Sequence, residues 1–447
     1  MTVPTPAARS PRSLRDLAPR ARLAALADPG SLVLHDASRP SPHLGRFGIA
    51  PQDDDGIVTA SLALAGVRVL AAAQDEHFLR GSIGQRHAEA LDALVQRAVA
   101  EGADAVVLLL ASGGVRLHEA NAAELALAAA LRRLTDARAT GLRVLAVGVA
   151  DVFGGASIVA CAADRLALTS TARIGLSGPK VIETARGRAE LDAGDRAAVD
   201  GLFGAAARAA AGQADLIPDD AGALREWIAA ALVHSLSFAA QIARDHARIA
   251  LRREAPVPQG APPLLAGHDA QPMDAQGMLW RLGAVAVTRP FTGVSFDGLA
   301  VHALDAALLE AAAVQTLIVT EDSAGHEVSR AAEARFESRR LAHHAAVLAL
   351  LRARGVRQIG LLCGTGHSAA FFVNALQAPR LFAVPMARVI AMDPAAIARV
   401  TGRDVAQLID DDPLLGQPVR HLAAHGGIEG LLAGADPLRA LLATMAP

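Results

Sequence analysis

The chain has 447 residues, of which 52 % are hydrophobic and 20 % charged, with a net charge of −2 at pH 7. That length implies two or three domains with large cores and excludes a disordered chain. The near-neutral balance and an aromatic share of 3 % with no tyrosine argue against nucleic acid and anionic membrane as partners.

From the amino terminus, Ser13 to Leu26 reads as a short amphipathic helix stopped by Asp28-Pro29-Gly30. No secretion signal is visible ahead of it. Apolar, β-branched runs then alternate with alanine-rich helical patterns. Strands are predicted at Ala105–Leu110, Val144–Val149, Thr316–Thr320 and Gln358–Cys363. Such alternation predicts an α/β architecture with mainly buried strands. Residues 251–273 carry Pro256, Pro258, Pro262, Pro263 and Pro272 and read as the linker between two halves. The expected units are an extension over 1–30, a first domain over 31–250, a linker over 251–274 and a second domain over 275–447.

The two halves resemble each other. Ala163-Asp164-Arg165-Leu166-Ala167 has a counterpart 215 residues later in Ala378-Pro379-Arg380-Leu381-Phe382. The same offset sets Gly154-Gly155 opposite Ala369-Ala370, and Ser112-Gly113-Gly114 stands after its strand as Ser323-Ala324-Gly325 does. Matches in one order and at nearly constant spacing indicate a duplicated fold.

Three glycine turns in the first half stand out: Arg80-Gly81-Ser82-Ile83-Gly84, Ser112-Gly113-Gly114 and Gly154-Gly155. Glycine at a strand-to-helix turn brings backbone close to a ligand and leaves N–H groups free to bond it. A site lined by such donors is suited to a developing oxyanion. Of the other candidates, Gly366-His367-Ser368-Ala369-Ala370 has the outline of a nucleophile elbow, but its final glycine is missing and no partner histidine can be placed. His343-His344 diverge on a predicted helix, and His326 and His367 add no metal spacing, so no metal site is expected. Cys161 and Cys363 lie in apolar segments and read as buried structural thiols. Two cysteines exclude a disulfide framework and fit a reduced, cytoplasmic compartment. Lys180 is the only lysine, which disfavours lysine-anchored cofactors. Arg116 and Glu119 read either as an i,i+3 surface pair or as a pair that orients the turn after Gly114.

The run Ser112-Gly113-Gly114-Val115-Arg116-Leu117-His118-Glu119-Ala120-Asn121 resembles the signature of biotin-type carboxyltransferases. It is closer to the β subunit of the biotin-independent malonate decarboxylases. Phe153-Gly154-Gly155-Ala156-Ser157, Arg173 to Glu183, the run Ala27 to Ser31 and Pro51-Gln52-Asp53-Asp54-Asp55-Gly56 carry the same likeness, over roughly residues 12–240. Gly366 to Phe371, Asn374 to Leu381, Val389 to Met392 and Ala398 to Thr401 resemble the γ subunit of that family. The pattern is departed from at Arg80, Lys180, Ala369 and Ile390.

The resemblance implies two crotonase-like halves of repeated ββα units, paired as an intramolecular pseudodimer. It implies decarboxylation of a malonyl thioester on an acyl carrier protein to the acetyl thioester. Gly113, Gly114, Gly154 and Gly155 are then expected as oxyanion donors, with Gly366, His367, Ser368, Ala369 and Ala370 as their counterpart. Gly81, Ser82, Gly84, Arg116, Gly178, Lys180 and Gln377 are expected to meet substrate or carrier. No cofactor is expected on this chain itself. The phosphoribosyl-dephospho-CoA arm belongs to the carrier (δ) partner, and a malonate-loading transferase α subunit is the other expected partner, with homo-oligomers left open. A biotin-dependent carboxyltransferase subunit and a non-catalytic carrier-binding scaffold are the alternative readings.

Overall fold

The structure is a computed structural model and describes residues 13–35, 39–233, 236–249, 260–296, 298–311, 314–406, 418–424 and 426–445. Residues 13–17 and helix α1 (Pro19–Leu26) pack on the first half. The Arg22 guanidinium is buried there, donating to the carbonyls of Leu14, Gln74 and Arg15 at 2.7–2.8 Å. The described part of the expected extension is therefore built into the first domain. The helix begins at Pro19, the fixed φ of proline suiting its first turn.

The first half is a single sheet in the order β1 (Val33–Leu34), β2 (Ile57–Leu64), β3 (Val67–Gln74), β4 (Ala105–Ser112), β5 (Arg143–Phe153), β6 (Arg165–Thr169), β8 (Asp215–Ile217), with β7 (Ile174–Gly175) paired to the far end of β5. A two-residue turn with positive φ at Ala65 and Gly66 closes the antiparallel β2–β3 hairpin. From β3 onward the pairs are parallel, and β4 is buried at every position, as a strand covered on both faces must be. Helices α2 (Gln85–Ala100) and α3 (Ala120–Ala139) cross between these strands, and the short α4 (Gly155–Cys161) follows β5. Helix α2 presents Leu91, Leu94, Val95 and Ala98 to the core, the i, i+3, i+4, i+7 stripe of an amphipathic helix. Helices α5 (Pro179–Arg186), α6 (Arg196–Phe203), α7 (Ala205–Ala210), α8 (Ala221–Val233) and α9 (Phe238–Ile249) complete this half.

The second sheet repeats the first: β9 (Ala270–Pro272), β10 (Leu279–Leu282), β11 (Val285–Thr288), β12 (Thr316–Glu321), β13 (Arg357–Leu362), β15 (Arg380–Ala383) and β17 (Gly430–Leu431) lie side by side in that order. A separate parallel pair, β14 (Thr365–His367) with β16 (Arg388–Ile390), stands where β5 and β7 meet in the first half. The registers agree in detail. Leu145 pairs with Arg165 as Ile359 pairs with Arg380, and Ala167 pairs with Asp215 as Phe382 pairs with Gly430. The chain is thus an α/β protein of two halves that share one sheet order and register. Helices α10 (Gly298–Glu310), α11 (Arg330–Ala334), α12 (Glu337–Ala353), α13 (Ser368–Val373) and α14 (Pro394–Thr401) serve the second half.

The first part of the expected linker, 251–259, lies outside the described residues. Its later part is structured: β9 is an edge strand paired with β10, a position where Pro272 costs no ladder bond. The second unit therefore begins by residue 270 rather than 275. Among the described residues no single helix is long and apolar enough to cross a membrane.

The halves share one apolar core that runs from Leu127 and Leu131 of α3 to Leu341 and Leu348 of α12. Helix α3 packs on α12 and α13, and α12 packs in turn on α4, so each half's long helix covers the other's short one. Arg132 donates to the carbonyls of Leu376 and Ala378 at 3.1 Å, and Arg352 donates to Asp136 at 2.9 Å. Interfaces built like a domain core persist without a covalent tie. Residues 1–249 and 260–447, produced as two polypeptides, are therefore expected to co-elute one to one in size-exclusion chromatography. Separate elution would show that the connection holds them together.

Candidate active site

The first site is assembled where β4 and β5 end. Gly113 N–H donates to the Arg80 carbonyl at 2.9 Å, Gly114 N–H to the Ser112 hydroxyl at 3.1 Å, and Gly154 N–H to the Leu176 carbonyl at 3.0 Å. These three expected oxyanion donors are spent inside the protein. The N–H groups that have no acceptor among the described residues are the next ones along, Val115 and Gly155. The two turns touch. A Cβ on Gly154 would stand 3.1 Å from Gly114 Cα and 3.9 Å from Val115 N. Gly154 also has φ +60 and ψ −140, which turns the chain from β5 into α4 and suits glycine alone. The donor pair is therefore Val115 with Gly155, and the glycines beside them shape the turns.

A buried charge cluster fixes the first turn. Arg116 is fully buried and donates to Asp55 Oδ1 at 2.5 Å, Glu119 Oε1 at 2.8 Å, the Ser82 carbonyl at 3.0 Å and the Asp55 carbonyl at 3.3 Å. Its Nε points to Ser82 Oγ at 3.4 Å. The pair with Glu119 is thus an internal one that orients the turn. Arg116 has no donor left for substrate or carrier, which corrects that expectation. Gly81 and Gly84 are likewise structural. A Cβ on Gly84 would sit 2.3 Å from Arg116 Nη1, and one on Gly81 would sit 1.9 Å from the Ala111 carbonyl oxygen. Burial pushes the Asp55 carboxyl up despite Arg116. Burial pushes Glu119 up too, but Arg116 and the N–H of Gln85 more than offset it and leave that carboxyl below its ordinary value.

The second half repeats these features. Gly325 N–H donates to the Ser323 hydroxyl at 3.3 Å, and its carbonyl accepts Phe296 N–H at 2.8 Å, as Gly114 accepts Ile83 N–H at 2.8 Å. Ser368, φ +49, opens α13 as Gly154 closes β5. The β5–β7 and β14–β16 registers set Val152 opposite Gly366, so Gly154 matches Ser368 and Gly155 matches Ala369. The offset of 215 is one residue too long here, because the chain from Ala369 to the start of β15 at Arg380 is one residue longer than that from Gly155 to the start of β6 at Arg165. His326 and Ala369 stand where Val115 and Gly155 stand, and their N–H groups also have no acceptor among the described residues. The His367 ring is pinned under the turn by the Ala324 carbonyl at 3.0 Å.

The remaining expected contacts divide. Gln377 is buried between the halves, donating to the carbonyls of Phe372 at 2.7 Å and Ala128 at 3.4 Å, so it joins α3 to the second half and does not face a ligand. Gly178 caps α5, and Lys180 projects from that helix with its side chain 75 % exposed, paired with Glu183 at 2.9 Å. Burial pushes the thiols of Cys161 and Cys363 up to about 11 and about 12, so both are inert near neutral pH.

The two sets of turns meet across the halves. Ser177, next to Leu176, hydrogen-bonds His326 Nε2 at 3.2 Å, while Glu333 of the second half accepts N–H from Ser177 at 2.6 Å and Leu176 at 3.2 Å. Ser157 and Ser338 hydroxyls bond at 2.7 Å. Deeper in, Glu321 accepts from Asn374 Nδ2 at 2.7 Å and Ser323 Oγ at 2.8 Å, and burial raises its carboxyl to about 7. A carboxyl raised in the folded state stabilises it fully below the ordinary value of 4.5, and that contribution is lost as pH rises through about 7. The thermal midpoint is therefore expected to fall between these limits. Glu321→Gln, which keeps the volume and the acceptor toward Asn374, should make that part of the profile shallower in a scan of midpoint against pH, the remaining slope coming from Glu333, which burial also raises to about 7.

Two family matches cover most of this architecture. Residues 16–212 match the carboxyl transferase domain, and residues 293–447 match the malonate decarboxylase gamma subunit. A chain in the crystal structure of a Pseudomonas malonate decarboxylase hetero-tetramer in complex with malonate is 34 % identical, with 55 % of this chain and 95 % of that chain covered and a TM-score of 0.49. The chain belongs to the malonate decarboxylase branch of the carboxyltransferases. Within that family it is a β/γ-like subunit whose two parts are continuous in one polypeptide. The malonyl-S-ACP:biotin-protein carboxyltransferase of Malonomonas rubra is 36 % identical over 174 residues, 36 % of this chain and 55 % of that protein. The acetyl-coenzyme A carboxylase carboxyl transferase subunits beta/alpha of Salinispora tropica are 30 % identical over 182 residues, 38 % of this chain and 32 % of that protein. The chain thus spans about half or less of the length of these two curated relatives.

Sequence reasoning missed Val115, His326 and Ser177. The usable signal was positional: the residue after a strained glycine, rather than the glycine, keeps its N–H unspent.

Proposed function

We propose that this subunit decarboxylates a malonyl thioester borne by an acyl carrier protein, giving the acetyl thioester and CO₂, inside a malonate decarboxylase complex. The observation that carries the reading is the pair of uncommitted main-chain donors, Val115 and Gly155, on adjoining turns held rigid from behind. As the C–C bond breaks, its electron pair moves into the thioester carbonyl and forms an enolate. Donors already aimed at that oxygen need no reorganisation, and each contributes about 2.7–4 kcal/mol to such a transition state. The His326–Ala369 pair is the counterpart in the second half and faces the other end of the same substrate. Carboxylate release consumes one proton at the α-carbon per turnover. The partners on this reading are the carrier with its phosphoribosyl-dephospho-CoA arm and the transferase that loads malonate, all in the cytoplasm.

Transfer of the carboxylate to biotin is the second reading, favoured by the name of the Malonomonas rubra relative. The full chain mixed with malonyl-carrier thioester separates them. CO₂ release without biotin is expected. Acetyl thioester formed only when a biotin acceptor is present, with the carboxylate recovered as carboxybiotin, would favour carboxyl transfer, and binding without turnover would favour a scaffold.

A further inference from the structure

We propose that the His326 imidazole returns the proton to the α-carbon once CO₂ has left, with the Ser177 hydroxyl setting which ring nitrogen carries that proton. The inference rests on the decarboxylation reading above.

Its position is the first ground. His326 follows Gly325 as Val115 follows Gly114, so its main chain belongs to the second set of turns. Its ring reaches the first set, meeting Ser177 one residue beyond the Leu176 carbonyl that holds Gly154. The side chain thus spans the joint between the two donor pairs, where the carbon between a thioester and a carboxylate would lie.

Its bonding is the second ground. Ser177 Oγ has no other partner among the described residues, and with its hydroxyl donating to His326 Nε2 the ring proton sits on Nδ1. Nδ1 is enclosed and has no hydrogen-bond partner among the described residues. An unspent buried donor of this kind costs stability unless it serves a purpose. Burial, with His367 nearby, lowers the ring's pKa to about 4, so it is neutral at pH 7. A neutral imidazole is a sufficient acid here because the carbanion of a thioester is far more basic than imidazolate. It also leaves no positive charge beside the carboxylate that would hold CO₂ back in the ground state. In the step, the Nδ1–H bond breaks, the enolate carbon takes the proton, and the C–H electron pair comes from the enolate. The ring regains a proton from solvent as product leaves.

The test uses the full chain, malonyl-carrier thioester chirally labelled at the α-carbon, and D₂O. The wild-type protein is expected to give acetyl thioester with a methyl group of one handedness. His326→Gln should lower kcat about 10²- to 10⁴-fold, the range for losing a positioned acid, with KM and thermal midpoint unchanged and the methyl group racemic. Ser177→Ala, which frees the ring to turn but keeps the acid, should lower kcat by less than the roughly 10²-fold that losing the acid costs, and blur the handedness. It carries the test if His326→Gln does not fold. Single handedness at wild-type kcat in either variant overturns the role of His326. No CO₂ from the wild-type protein overturns the decarboxylation itself, and is seen before any variant is made.

Discussion

Gly155→Val is expected to lower kcat at least 10²- to 10³-fold with malonyl-carrier thioester, the loss that follows removal of one oxyanion donor. The cause is local. A Cβ at this position would stand 2.8 Å from Leu127 Cδ2 and 3.4 Å from Val115 Cγ2, so the added side chain pushes directly on the residue that supplies the other donor. Gly155 has an ordinary helical conformation, so the substitution carries no φ strain and the fold should survive. Both donors shift together, and KM should change less than kcat because the interaction strengthens only as charge develops. Gly114→Val should be equally inactive for a different reason. Its φ of +105 excludes a branched side chain, so part of that effect will appear as lost stability. Comparing kcat with the thermal midpoint for the two variants separates loss of the donor from damage to the turn. A Gly155→Val protein with wild-type kcat would remove this amide from the chemistry.

Arg116→Met is expected to be the most destabilising single change in the first half, by about 3–5 kcal/mol, the cost of stripping a buried charge from its partners. Asp55 and Glu119 would be left facing each other across the gap with side chains 1 % and 0 % exposed. The apolar stem of methionine fills much of the volume, so the loss measures the charges rather than a cavity. The loop from Val115 to Glu119 should lose hydrogen-exchange protection first, since Arg116 ties it to Ser82 and Asp55. Retained stability and protection would show that the cluster does not hold the turn.

The architecture was legible because its determinants are local and repeated. β4 reads as a buried strand from Ala-Val-Val-Leu-Leu-Leu alone, and the 215-residue echo between Arg165-Leu166 and Arg380-Leu381 survives as matched strand register. Two errors at the site have physical causes. Glycines mark turns, but a tight turn satisfies its own N–H groups, as Ser112 and Arg80 do for Gly114 and Gly113. The free donors come one residue later, on Val115 and Gly155, where composition gives no sign. Arg116 was placed toward a ligand because nothing nearby in sequence reveals Asp55, 61 positions earlier, as its partner. The joint between Ser177 and His326 spans 149 positions and exists only once the halves pack.

The most direct test is a crystal structure of the full chain with a non-hydrolysable malonyl thioester analogue. The carbonyl oxygen is predicted to lie about 2.7–3.1 Å from both Val115 N and Gly155 N, the spacing of an oxyanion site. An oxygen held by side chains elsewhere, with both amides facing solvent, would contradict the account.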